Sequence, residues 1–114
     1  MQLRSFYESP GFVFIGRNDL GEAVGCIAMR QLDGAVGELR RLFVQPAGRA
    51  TGLGRRLAIA VVQQARSQGL ARLVLNTLPT MTAAIALYES MGFVTSAAYE
   101  ADPTEGVLFF ELML

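Results

Sequence analysis

The spacing of apolar residues changes character midway along this chain. Residues 12–16 (FVFIG) form a short unbroken apolar run, the pattern of a buried strand. The polar stretch RNDLGE follows as a turn, and residues 23–31 (AVGCIAMRQ) predict a second strand. LDGAVG carries an Asp-Gly hairpin signal, and residues 38–44 (ELRRLFV) predict a third strand that stops near Pro46. The spacing then becomes helical. Leu53, Leu57, Ala60, Val61 and Gln64 recur on one face, predicting a helix over 51–67 with Gly69 as its C-terminal cap. Residues 73–76 read as a short buried strand. Thr80 or Thr82 is placed to cap a second helix that carries Ile85, Leu87 and Tyr88 and ends at Gly92. Residues 93–100 and 107–114 predict two closing strands joined by the turn ADPTEG. The order is β-β-β-α-β-α-β-β. A strand-helix-strand crossover flanked by antiparallel hairpins makes a mixed sheet of the α/β (α+β) class. There is no repeat or linker, so the 114 residues read as one domain.

Composition narrows the chemistry. Ten arginines balance ten carboxylates, which argues against a nucleic-acid binder held by bulk charge. Histidine, lysine and tryptophan are absent. Histidine triads, the usual zinc sites and the lysine-dependent P-loop are therefore excluded, and no metal is expected. The single cysteine, Cys26, allows no intrachain disulfide and lies in an apolar run, where it reads as core filler. That usage fits a cytoplasmic protein, and no apolar stretch is long enough to suggest a membrane partner.

The stretch RATGLGRR, residues 49–56, stands where a strand gives way to a helix. The first turn of a helix has unpaired N–H groups and the positive end of the dipole. Gly52 and Gly54 remove side chains that would keep a ligand from the backbone, and Arg49 and Arg55 add charge. This is the design of a phosphate or pyrophosphate site. The plainer alternative is a glycine-rich loop with solvated arginines. A Rossmann dinucleotide site does not fit: Leu57 takes the third glycine position, and LVLNT, about 20 residues on, has no acid for a ribose.

ELRRLFVQPAGRATGLGRRL, then LVLNT, then AAIALYESMGF, together resemble the GNAT superfamily of N-acetyltransferases. Arg49, Gly52 and Gly54 match the family's Q/R-x-x-G-x-G/A acetyl-CoA loop. Ala83, Leu87, Tyr88, Gly92 and Phe93 match its A-x-x-x-L-Y-x-x-x-G-F helix segment. The resemblance covers about residues 6–114. It implies transfer of an acetyl group from acetyl-CoA to a primary amine of a small molecule or a protein or peptide. It also implies that the cofactor lies between two splayed parallel strands, residues 38–44 and 73–76. The backbone of Leu42, Phe43 and Val44 would pair with pantetheine, and the amides of Arg49, Ala50, Thr51, Gly52, Leu53, Gly54 and Arg55 would hold the pyrophosphate. The alternative function is a shortened, non-catalytic acyl-CoA-binding or dimerisation module. A tRNA-acetylating toxin is disfavoured by the neutral charge.

Two catalytic roles follow from the same resemblance. Tyr88 matches the thiol-facing tyrosine, a candidate proton donor to the leaving group; the alternative is a core tyrosine. Glu38 stands fourteen positions before Gly52, the offset of the base glutamate in the histone-acetylating branch. Its alternative is a strand-end carboxylate paired with Arg40 or another arginine. An ordinary glutamate is too weak to deprotonate an ammonium of pKa about 10.4 directly, so burial or a relay is required. Asn76 takes the place of a base glutamate found in other branches, Met81 replaces a frequent asparagine, and Ala50 a frequent glycine.

The front of the chain departs most. LRSFYESPG looks like the end of the family's second helix, so its first strand and two helices are expected to be missing. That would leave residues 12–16 as an apolar sheet edge beside an uncovered sheet face. Both features favour association, so a homodimer or larger homo-oligomer is expected.

Overall fold

The computed structural model describes residues 2–8, 11–46, 51–99 and 106–114; of the side chains in the first strand it describes only Leu3. The described residues form β1 (Gln2–Glu8), β2 (Gly11–Arg17), β3 (Ala23–Gln31), β4 (Val36–Val44), α1 (Leu53–Ser67), β5 (Arg72–Thr77), α2 (Thr82–Ser90), β6 (Val94–Thr95) and β7 (Leu108–Met113). They build a seven-stranded sheet in the order β1-β2-β3-β4-β5-β7-β6. Every neighbouring pair is antiparallel except β4 and β5, which the α1 crossover makes parallel. The expected mixed α/β sheet is present, with one more strand than the sequence suggests.

The additional strand corrects the reading of the front end. Residues 2–8 are not a helix end. They pair with β2 from Gln2↔Arg17 to Glu8↔Gly11. A seven-residue segment with no strong period takes its conformation from the partner available, and β2 offers a row of ladder groups. Residues 12–16 are therefore not a sheet edge, because the strand that β2 recruits is the chain's own.

Side-chain patterning explains the core. Leu53, Leu57, Ala58, Val61, Val62 and Ala65 are buried along one face of α1. They pack on Ile27, Leu39, Leu73 and Leu75 from the centre of the sheet. Gly25 lets the helix approach: a Cβ there would lie 2.8 Å from Leu53 Cδ2 and 3.1 Å from the Phe43 carbonyl oxygen. Tyr88 brings α2 into the same cluster, so both helices lie on one face of the sheet. Cys26 is half-buried and lies outside that core; its Sγ donates to the Arg41 carbonyl at 3.5 Å.

The turns show how local chemistry sets the ends of elements. Asp33 Oδ1 accepts from the N–H groups of Ala35 and Val36, closing the β3–β4 hairpin. Both helices end in the same way. Gly69 and Gly92 have φ of 78° and 99°, and each is followed by a residue whose N–H bonds back across the last turn, Leu70 to Ala65 and Phe93 to Tyr88. Neither threonine caps α2. The residue before it is Met81, with no side-chain cap, and its own N–H is tied to the Leu78 carbonyl. The strand expected over 93–100 shrinks to Val94–Thr95. Phe93 is drawn into the core, and after a last bond from Ser96 N–H to the Phe109 carbonyl the chain leaves the ladder. The joining turn at residues 101–105 lies outside the described residues.

Candidate active site

The parallel pairing of β4 and β5 is short. It runs Val36↔Arg72, Gly37↔Leu73, Glu38↔Val74 and then ends. Beyond it β4 stays paired to β3 as far as Val44, and β5 to β7 as far as Thr77. The two strands fork, and among the described residues no strand lies beside the β5-facing edge of residues 39–43. Backbone N–H and C=O groups in such a place need partners, and an extended ligand can supply them.

A bulge lies in the same strand, in its pairing with β3. Cys26 faces Phe43 while Ala28 faces Arg40, so β4 carries one residue more than β3 between these pairs. Arg41 takes up the difference with φ of 57°, a strained backbone for a residue with a side chain. Arg40 and Arg41 are in consequence both exposed, and the alternation restarts at Leu42.

The fork opens into a cleft of about 570 Å³. Leu42, Phe43 and Val44 line one wall, Met81, Ala83, Ala84 and Leu87 the other, and Gly52, Leu53 and Gly54 the end. Gly52 is left-handed, with φ of 78°, and starts α1 with no side-chain cap and no acidic residue in the first turn. The leading N–H groups of α1 thus point at the end of an apolar cleft with the positive pole of the helix behind them. A Cβ on Gly54 would meet Leu87 and Val44 at 3.7 Å, so a side chain there projects into the cleft without a clash.

Of the residues expected to hold a cofactor, Leu42, Phe43, Val44, Gly52, Leu53 and Gly54 come together around this cleft. Thr51 precedes the helix cap and is exposed. Arg55 contributes its backbone to the first turn, but its guanidinium turns away: Nη1 donates to Ser90 Oγ at 3.0 Å, beside a second groove between α1 and α2. Arg49 and Ala50 lie outside the described residues.

Tyr88 is 6% exposed and belongs to the core, its ring 5.5 Å from that of Phe93. It follows Leu87, which lines the cleft, but its own side chain is not among the lining groups. Burial raises its pKa from 10.0 to about 12, because the phenolate would lose hydration.

Glu38 sits at the apex of the fork, on the sheet face opposite the helices, and is 2% exposed. A buried carboxylate must be paired. Its Oε1 accepts from Arg30 Nη2 at 2.9 Å and lies 3.6 Å from Arg40 Nε. Its Oε2 accepts from the Tyr99 hydroxyl at 2.6 Å, and Tyr99 Oη accepts from Asn76 Nδ2 at 3.0 Å. The ring of Tyr99 packs edge-on against Phe109. Asn76 and Tyr99 were not picked out by sequence reasoning as partners of Glu38. Arg30 had a signal: the β3–β4 hairpin sets it directly across from Glu38. Tyr99, 61 residues away, had none. No group of three or more histidine, cysteine or acidic side chains among the described residues is arranged to hold a metal ion.

Comparison with known proteins agrees with this architecture. The model of the acetyltransferase (GNAT) family matches residues 2–93. An uncharacterized N-acetyltransferase of Schizosaccharomyces pombe is 32% identical over 111 residues, covering 96% of this chain and 68% of that protein. An IAA acetyltransferase of Azospirillum brasilense is 37% identical over 106 residues, covering 90% and 68%. Among solved structures, a Klebsiella pneumoniae protein classed as an acyl-CoA N-acyltransferase superposes with a TM-score of 0.85 at 33% identity, over 91% of this chain and 72% of that one. A GNAT family acetyltransferase of Elizabethkingia anophelis, solved with acetyl-CoA bound, shares the fold at a TM-score of 0.77 and 19% identity, over 91% and 76%. With its forked parallel strands, its glycine-led helix and most of its length matched by the family model, the chain belongs to the acetyltransferase (GNAT) family.

Proposed function

We propose that this protein transfers the acetyl group of acetyl-CoA to a primary amine. The observation that carries the reading is the fork of β4 and β5, whose open edge leads to the uncapped start of α1. The pyrophosphate suits the N–H groups at Gly52, Leu53 and Gly54. The pantetheine arm suits the strand edge at Leu42, Phe43 and Val44, beyond the bulge at Arg41. Laid that way, the acyl end points toward the apex, where Glu38 lies.

In the reaction the amine nitrogen bonds to the thioester carbonyl carbon, the C–S bond breaks, the nitrogen loses a proton and the sulfur gains one. Glu38 is the proposed base. Tyr88 is the proposed donor to sulfur, a role that rests on its match to the family's helix segment. Its raised pKa keeps the hydroxyl protonated at every physiological pH, so it is always a donor. A base works only when deprotonated, so its loss is expected to show on the acidic side of the kcat/KM profile. Glu38→Gln is expected to lower kcat/KM by about 10²-fold and to flatten that side. An unaltered profile removes Glu38 from the role.

The reading includes self-association. The edge argument for it falls with the discovery of β1, and the expected bare face is covered at its centre, where Glu38 and Val74 are buried, but apolar side chains stay exposed at its margin. Val94 and Met113, 59% and 66% exposed, project from the sheet face opposite the helices. Light scattering coupled to size exclusion at low micromolar concentration is expected to give a dimer or larger species. A monodisperse monomer contradicts it.

A further inference from the structure

Glu38 poses a problem for its proposed role: at 2% exposure its carboxylate has almost no surface on which to meet a substrate. Tyr99, its hydrogen-bond partner, is less deeply buried. It is half-buried, and its hydroxyl donates to Glu38 Oε2 at 2.6 Å while accepting from Asn76 at 3.0 Å. We propose that Tyr99 is the group that meets the acceptor amine and that Glu38 acts through it, as the buried end of a two-step proton relay. The proposal rests on the amine-acetylating function above.

The placement supports it. Glu38 is the last residue of β4 paired to β5, and Asn76 stands two residues past the last paired residue of β5, Val74. The Tyr99 hydroxyl therefore bridges the two arms of the fork just where they part, at the apex toward which the acyl end of the cofactor is laid. Asn76 donates to the phenol oxygen, so the tyrosine's own proton is turned toward Glu38. The 2.6 Å separation is that of a hydrogen bond to a charged acceptor. Arg30 and Arg40 both lie against the other carboxylate oxygen, which leaves Oε2 as the one facing Tyr99.

The step balances without a further reactant. As nitrogen bonds to the acetyl carbon it becomes cationic and a far stronger acid than a free ammonium. Its proton passes to Tyr99 Oη while the Tyr99 proton passes to Glu38 Oε2. Tyrosine is neutral before and after, and Glu38 ends as the acid, which loses its proton after product leaves. A phenol serves because its oxygen both donates and accepts.

Tyr99→Phe tests this, since it keeps the ring packed on Phe109 and removes only the hydroxyl. With the best amine from an acceptor panel, kcat/KM is expected to fall by about 10²-fold and to lose its acidic limb, as in Glu38→Gln. Joined with Glu38→Gln it is expected to add less than about threefold, because two groups of one relay are lost only once. Affinity for CoA should not change. A merely structural hydroxyl would lower the rate and leave the acidic limb in place. That outcome, near-wild-type activity, or multiplicative losses would each overturn the relay while leaving the acetyltransferase reading intact. If Tyr99→Phe does not fold, Asn76→Ala serves in its place: kcat should fall about tenfold with unchanged KM for acetyl-CoA, and an unchanged kcat overturns the proposal. A wild-type chain that acetylates no amine ends both readings.

Discussion

Gly54→Asp is expected to abolish CoA binding in a protein that folds as well as the parent. The two halves of this prediction have separate physical sources. Gly54 is the second residue of α1, and a side chain there reaches the cleft through gaps of 3.7 Å to Leu87 and Val44. It would place a carboxylate where the diphosphate is proposed to sit. Two like charges about 4 Å apart near a protein surface repel by about 4 kcal/mol, which is roughly 10³-fold in affinity. The helix itself benefits, since aspartate in a first turn suits the dipole and replaces a glycine. Calorimetric titration with CoA and a thermal melt read the two halves. Unchanged affinity removes this turn from the site, and a lowered Tm shows that the glycine is needed for the fold. Gly52 would be a poor choice for this test, because its φ of 78° strains any other residue.

Tyr88→Phe is expected to lower kcat by about 10²-fold with little change in CoA affinity, the mark of a donor used in the transition state. Equal turnover assigns Tyr88 to the core alone. The same variant carries a second readout that is independent of catalysis. In the unfolded chain the phenol ionises near pH 10, and in the fold burial holds it neutral to about 12. For an acid whose folded pKa is raised, the stability linked to it is complete below the unfolded pKa and is lost as pH climbs to the folded one. Between pH 10 and 12 the parent should therefore lose about 2–3 kcal/mol from this group. Tyr88→Phe should lack that part of the alkaline loss. Urea unfolding of both proteins across this range is the measurement, and identical pH dependence contradicts the burial of the hydroxyl.

What could be read from the sequence was what is local. Residues 23–31 form β3 with the bounds their apolar run suggests, and Gly69 and Gly92 end the two helices because a left-handed glycine closes a helix within its own last turn. The glycine that opens α1 was legible for the same reason, since Gly52 is left-handed at the helix start. Long-range pairing was not. Residues 2–8 become a strand only because β2 lies beside them, and residues 97–99 leave the ladder that would have extended β6. Within the site, the offset of Glu38 from Gly52 marked the residue but not its surroundings. Arg30 follows from the hairpin register once that is worked out. Tyr99 does not, since it reaches Glu38 only after two helices and two strands have been laid down between them.

The central claim, that the fork of β4 and β5 carries out acetyl transfer, is tested most directly by incubating the wild-type chain with acetyl-CoA and a panel of amines. Free thiol and the mass of each amine are followed together. The account predicts amine-dependent thiol release matched, one for one, by an amine that has gained an acetyl group. Tight binding of acetyl-CoA with no thiol released under any acceptor would contradict it and leave a cofactor-binding module in its place.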